Sequence, residues 1–146
     1  MNIDFAFICD YANAAGKLSA VGIGFDTIFT PVVPYRHNHF SLVLQLRVNP
    51  EEAGQKNIRI NLIDDDGVNM IKPIDGSFGI PKSEGPMPSI GRFVMEFGSV
   101  EFKKYGNYCV RVMIDDTEAA SLYFRVAVPP AGSAQDNPDV KLNTNI

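Results

Sequence analysis

Three consecutive carboxylates, Asp64, Asp65 and Asp66, stand directly before Gly67 in the stretch LIDDDGVNM. Clustered carboxylates are oxygen ligands of the kind that calcium takes. However, Asp-Gly between two alternating apolar runs is a strong hairpin signal, and aspartate tolerates turn conformations. The spacing differs from an EF-hand loop, which needs a carboxylate well after the glycine. We therefore expect a plain turn here, with calcium binding as the alternative.

His37 and His39 are the second group of candidate ligands. At positions i and i+2 of an extended segment both rings point to the same side, which suits a pair of zinc ligands. If successive strands run antiparallel, the histidines lie at the same end of the molecule as Asp64 and Asp66. A metal site built from these four residues is thus the alternative to simple solvated histidines, although spacing fixes no third strong ligand beside the histidine pair.

The two cysteines, Cys9 and Cys109, are the candidate nucleophiles. The alternation of the first strand places Cys9 on the inward face with Phe5 and Phe7, which indicates a core thiol. Cys109 falls on an outward face beside Arg111, whose charge can lower a thiol pKa. A catalytic cysteine also needs a base, and neither histidine is close in sequence. With no Gly-x-Ser-x-Gly elbow and no phosphate-binding glycine loop, we expect neither an enzyme nor a cofactor.

Four of the six arginines occupy outward positions on predicted strands: Arg47, Arg59, Arg111 and Arg125. Long polar side chains on a wet sheet face are common and protect against unwanted association. The alternative is a guanidinium-lined face that binds an acidic partner or a second subunit.

The elements that position these residues are strands, because apolar residues recur at a period of two almost everywhere. In HFSLVLQLRV, for example, Phe40, Leu42 and Leu44 share one face. One apolar and one polar face per strand is typical of antiparallel sheets. The expected strands are 3–9, 17–29 (broken near Gly22 and Gly24), 39–48, 57–63, 68–74, 91–97, 107–114 and 118–128. We expect a single short turn of helix within 49–55. The pattern predicts an all-β antiparallel sandwich of about eight strands.

The stretch KYGNYCVRV resembles the entry into a late strand of immunoglobulin-like domains, where a tyrosine can bond its hydroxyl back to the preceding corner. The alternative is a tyrosine, Tyr108, that only packs in the core. Together with NIDFAFICDYANAAGKLSAVGIGFDTIF, EEAGQKNIRINLIDDDG and DDTEAASLYFRV, the layout resembles an uncharacterised bacterial family of small immunoglobulin-like β-sandwich proteins. The resemblance covers about residues 1–128 and implies the fold, but no activity, cofactor or site residue.

Composition excludes several classes of function. The chain has 146 residues, 45% of them apolar, which fits one domain with a real core. A net charge of −4 without a basic block speaks against nucleic acid as a partner. No apolar run is long enough to span a membrane, and the first residues do not read as a signal peptide. Two thiols far apart do not form a disulfide framework, so we expect a cytoplasmic protein.

Two stretches do not read as sandwich strands, and we expect them to make contacts. The first, 75–91, is a long Gly- and Pro-rich segment. The second is the tail 129–146, of which we expect 139–146 to dock on a neighbouring subunit by edge addition. The predicted partner-binding residues are the four arginines together with Phe78, Ile80, Met87, Ile90, Val140, Leu142 and Ile146. The sequence thus predicts a non-enzymatic structural or protein-interaction module that self-associates. The alternative is a small-ligand or metal-binding domain that uses the His37, His39 and Asp64–Asp66 end.

Overall fold

The computed structural model describes residues 1–131, which are nearly all β. No α-helix is present in this range, and the expected helical turn is a 3-10 turn at Pro50–Glu52. Residues 1–131 form ten strands, named in chain order β1 Asn2–Cys9, β2 Tyr11–Asn13, β3 Ser19–Val21, β4 Thr27–Phe29, β5 Tyr35–Val48, β6 Gly54–Asp64, β7 Ile74–Ile80, β8 Ser89–Phe102, β9 Gly106–Ile114 and β10 Thr117–Ala127.

The strands form a three-stranded sheet, a five-stranded sheet and a small hairpin. The three-stranded sheet has the order β1-β5-β8, the five-stranded sheet has the order β4-β10-β9-β6-β7, and β2 pairs with β3. All of these pairs are antiparallel except β4 and β10, which run parallel. The expected all-β, mainly antiparallel architecture is therefore confirmed.

The core lies between the two larger sheets, because alternate residues of each strand turn towards it. Leu42 and Leu44 of β5 are fully buried, as are Leu62 of β6 and Val110 of β9, and all belong to one apolar cluster. Burying a side chain of this size stabilises the fold by about 1.5–3 kcal/mol. The inward assignments made from the alternation of β5, β6 and β9 are thus confirmed. The expected solvent-exposed face of β5 is not, because Ser41, Val43 and Gln45 are also buried.

Strand β1 corrects one prediction. Its pairing with β5 shifts register between Ile3 and Phe5. A bulge adds a residue to one strand and reverses the facing of every side chain beyond it. Ile3 therefore packs on the core cluster, whereas Phe7 pairs with Val43 on the opposite face. The expectation that Cys9 lies inward with Phe5 and Phe7 is wrong, although Cys9 is fully buried.

Several predicted strand boundaries are also wrong. The predicted strand 17–29 is two short strands, β3 and β4, which lie in different sheets. Of the predicted strand 68–74, residues 68–73 form no strand and contribute only an isolated bridge between Ile63 and Asn69. The return strand is instead β7, within the Gly-rich segment that we had expected to be irregular, and β8 begins within that segment. Because β7 is an edge strand with a single partner, β6, it tolerates Gly76 and Gly79.

Tyr108 ties the start of β9 to the connection before it. Its side chain is 1% exposed, and its hydroxyl donates a 2.5 Å hydrogen bond to the carbonyl of Lys104. The ring also packs against Phe102 and Phe124, with centroids 5.0 and 5.8 Å away. The predicted bond from this tyrosine back to the preceding corner is confirmed.

Candidate functional site

The acidic stretch forms a tight turn whose carboxylates are engaged within the chain. Asp64 Oδ1 accepts hydrogen bonds from the amides of Asp66 (2.9 Å) and Val68 (3.0 Å). Gly67 adopts a φ of 75°, which glycine adopts without steric cost. The bond from the Val68 amide is the main reason that the pKa of Asp64 lies below its usual range. The prediction of a turn at Asp64–Gly67 is confirmed.

The other two carboxylates of this turn reach the connection between β8 and β9. Asp66 lies 3.3 Å from the Lys104 ammonium, and Asp64 lies 3.5 Å from the same group. Asp65 Oδ2 is 3.4 Å from the amide of Asn107. The turn therefore fastens the end of β6 to the start of β9.

The histidines make contacts that do not involve Asp64 or Asp66. His37 Nδ1 is 3.3 Å from the Tyr35 hydroxyl, and His39 Nδ1 is 2.9 Å from the Asp10 carbonyl. The ring of His39 also stacks on Tyr11, with centroids 4.7 Å apart. Within residues 1–131 no group of three or more His, Cys, Asp or Glu is placed to hold a metal ion. The structure therefore does not bring the four predicted metal ligands together.

A large depression lies on the outer face of the five-stranded sheet, and we call it the sheet groove. Its cavity volume is about 570 Å³. The floor crosses three neighbouring strands, where Ile63 of β6 pairs with Cys109 of β9 and Cys109 pairs with Tyr123 of β10. Arg125 and Arg111 line the groove on either side of this row. Because paired residues on neighbouring strands share a face, the register alone brings these side chains together.

The four outward arginines differ in their partners. Arg47 lies on the three-stranded sheet, away from the groove, and is 2.7 Å from Asp4. On the five-stranded sheet, Arg59 is 2.6 Å from Asp75, and Arg111 is 3.4 Å from Glu118. The fourth, Arg125, donates through Nε to the Thr27 hydroxyl and makes no ion pair with any residue in the described range. Its guanidinium charge is therefore the one most available to a partner.

Cys109 lies in the floor of the sheet groove and is 4% exposed. Burial raises the pKa of its thiol, which outweighs the opposing effect of nearby Arg111. The thiol is therefore held in its protonated form at neutral pH. The placement of Cys109 on the outward face beside Arg111 is confirmed, but its surroundings do not activate a nucleophile.

A model of a family of unknown function, DUF6941, matches residues 4–127. The chain belongs to this family. It has no match among curated proteins. Among solved structures, it is similar to the alkylpurine DNA glycosylase AlkC of Pseudomonas fluorescens bound to DNA containing an abasic site analog, with 11% identity and a TM-score of 0.40. The match covers 84% of this chain but only 30% of the glycosylase chain, and a likeness this weak assigns neither fold nor function.

The apolar residues that we predicted to bind partners have mixed positions in this DUF6941 chain. Ile80 is buried in the core and Phe78 is half-buried against Phe93, so both serve the fold. Met87 and Ile90 are exposed. Val140, Leu142 and Ile146, with the docking proposed for 139–146, lie outside the described residues.

The sequence reasoning placed arginines on an outward face but missed the groove between them. Tyr123 is 71% exposed although it is a large aromatic residue on a strand. Its position in the alternation of β10 was the available signal. What the sequence did not supply was the strand order, which places β6, β9 and β10 side by side.

No helix within residues 1–131 is long and apolar enough to cross a membrane.

Proposed function

We propose that this protein is a non-enzymatic protein-interaction module that self-associates through the sheet groove. The observation that carries the proposal is the grouping of an exposed aromatic ring, Tyr123, with two exposed guanidinium groups, Arg111 and Arg125, around an apolar floor. Tyrosine and arginine are the residue types that concentrate binding energy at the centres of protein interfaces. A partner that covers this groove would also bury the apolar floor.

Charge favours a second copy of the chain as the partner. The same groove carries Asp26 and Asp65 as well as Arg111 and Arg125. A two-fold interface brings the same patch of both subunits together, so it is most stable when the patch carries both signs of charge. Two copies related in this way can place the free Arg125 of each against a carboxylate of the other.

We also infer that the scaffold is an immunoglobulin-like sandwich. Three features support this fold: the sheet orders β1-β5-β8 and β4-β10-β9-β6-β7, the division of the N-terminal strands β1 and β4 between the two sheets, and the tyrosine bond from Tyr108 to Lys104. The last of these resembles the tyrosine corner of immunoglobulin domains, displaced in sequence. Free Cys9 and Cys109 are compatible with a bacterial cytoplasmic location, which we propose on the same terms.

Light scattering over a dilution series from millimolar to micromolar tests the interaction. The parent chain is expected to pass from dimer to monomer. Arg125→Asp should shift that transition to higher concentration, because it removes the groove guanidinium that makes no ion pair within residues 1–131. A second change, Asp26→Arg in the same chain, should restore association, because each copy again presents both signs. Lys82→Glu, an exposed reversal outside the groove, is the matched control.

The outcomes separate clearly, provided that circular dichroism shows each variant to be folded. A parent chain with a constant monomer mass at all concentrations would overturn the proposal. Equal effects of Arg125→Asp and Lys82→Glu would show that net charge, rather than this face, controls association.

A further inference from the structure

A second depression lies where the β2–β3 hairpin meets the start of β5, and we call it the hairpin crevice. It consists of two adjoining cavities of about 390 and 220 Å³, which share Asp10, Tyr35 and His37. Tyr11 lines the first cavity and Phe29 lines the second. The two cavities thus meet at Asp10, Tyr35 and His37, and each has a further aromatic residue in its lining.

The backbone holds Asp10 in this place. Its amide donates a hydrogen bond to the Val21 carbonyl (3.0 Å). Its own carbonyl oxygen lies 2.9 Å from His39 Nδ1. The Asp10 carboxylate lies against Gly22, where an added Cβ would stand 2.1 Å from Asp10 Oδ2. Gly22 also has a φ of +66°, so a side chain is disfavoured there for both steric and conformational reasons. The glycine therefore leaves the space that the carboxylate occupies.

The charge of Asp10 is not balanced within the described part of the chain, where it makes no ion pair of 4 Å or less. No lysine or arginine lines either cavity. Burial lowers the pKa of His37, so its imidazole is neutral at pH 7 and does not supply the missing positive charge. The crevice consequently carries a net negative charge among aromatic rings.

We propose that the hairpin crevice binds an alkylammonium cation, with Asp10 as its counter-charge and Tyr11, Tyr35 and Phe29 as the surrounding aromatic residues. An aromatic ring attracts a cation to its face, and quaternary ammonium groups are recognised by several rings together. The combined crevice falls within the size range of small-molecule sites. This inference is independent of self-association through the sheet groove, because the two sites share neither Asp10 nor any of the three aromatic residues.

Acidification gives the site a second signature. Three groups of residues surround His37 in the first cavity. They are Asp10, directly after β1, then Tyr35 and His39 on its own strand, and Tyr11 on β2. Once His37 is protonated, its positive charge competes with the bound cation for Asp10. Cation binding should therefore weaken as the pH falls below neutral and His37 becomes protonated.

The test is a titration of the full chain with choline, in which the NMR chemical shifts of the crevice residues are monitored. A parallel titration uses 3,3-dimethylbutan-1-ol, the neutral isostere of choline. Choline should bind at least about tenfold more tightly than the alcohol, because only the cation gains the carboxylate and ring faces. Asp10→Asn keeps the shape and should remove that preference. Tyr11→Ala, at a side chain that is 61% exposed, should weaken choline binding without unfolding the chain. Asp116→Asn, an exposed carboxylate beyond β9, is the matched control.

Three results would overturn the proposal: no shifts with choline at millimolar concentration, equal binding of choline and the alcohol, or unchanged choline binding by folded Asp10→Asn. The ammonium group can belong to a free metabolite or to a methylated lysine on another protein. Tighter binding of a short trimethyllysine peptide than of choline assigns the protein source, and equal binding assigns the free cation. Either result supports the site, and neither depends on the mass measured by light scattering.

Discussion

The Tyr108 hydroxyl offers the cleanest test of how the end of the five-stranded sheet is held together. Tyr108→Phe removes one oxygen and keeps the ring, which remains in contact with Phe102 and Phe124. The lost interaction is the 2.5 Å bond to the Lys104 carbonyl. Burial raises the pKa of Tyr108, so the hydroxyl remains a donor throughout the neutral range.

The magnitude follows from what the Lys104 carbonyl does once its donor is gone. A net intramolecular hydrogen bond contributes about 0.5–1.5 kcal/mol, and an acceptor left buried without a partner costs about 1–3 kcal/mol. Lys104 is an exposed residue, so water can reach the connection and the smaller cost applies. We expect the free energy of unfolding to fall by about 1–1.5 kcal/mol, which lowers the melting temperature by roughly 3–6 °C for a chain of this size.

Urea and thermal unfolding followed by circular dichroism measure this difference. Tyr123→Phe is the matched control, because Tyr123 is 71% exposed and its change should leave stability within about 0.5 kcal/mol of the parent. Tyr108→Leu should cost more than Tyr108→Phe, because it also loses the ring contacts. Equal stabilities for Tyr108→Phe and Tyr123→Phe would refute the assigned role of the hydroxyl.

Two further predictions concern the acidic turn and the buried imidazole. Asp64→Ala removes the oxygen that accepts hydrogen bonds from the Asp66 and Val68 amides, whereas Asp64→Asn keeps Oδ1. Asp64→Ala should therefore lower the melting temperature more than Asp64→Asn. Equal losses in differential scanning fluorimetry would contradict this expectation. Burial lowers the pKa of His37, so folding favours the neutral ring. The contribution of the neutral ring to the free energy of unfolding is complete above the unfolded-state pKa, and it is lost as the pH falls from there to the folded-state pKa. Urea unfolding at about pH 7 and about pH 5 should therefore show a smaller acid loss for His37→Gln than for the parent, and identical losses would count against it.

The sequence predicted those features that depend on local chemistry. The alternation of β5, β6 and β9 sets which residues face the core, because successive side chains of any strand point to opposite sides. The Asp-Gly turn at 66–67 and the break of the second predicted strand at Gly22 and Gly24 also depend on local chemistry, since glycine accepts a positive φ. These predictions required no knowledge of which strands are neighbours.

What the sequence did not predict depends on tertiary pairing. The bulge that separates Ile3 from Phe7 leaves no mark in an apolar run that reads equally well on either face. Strand β7 was missed because its glycines argue against a strand, although an edge position accepts them. The parallel pairing of β4 with β10 joins residues almost a hundred positions apart, which composition cannot indicate.

The hairpin crevice follows from the way in which the N-terminal segment passes between the sheets. Strand β1 pairs with β5 in one sheet, whereas β4 pairs with β10 in the other. The chain must cross between them, and it does so through the β2–β3 hairpin, with Gly22 directly after β3. Because Gly22 both ends that hairpin and makes room for the Asp10 carboxylate, the crossing itself creates the negative crevice. The candidate cation site is thus a consequence of the topology. For this reason no contiguous sequence motif predicted it.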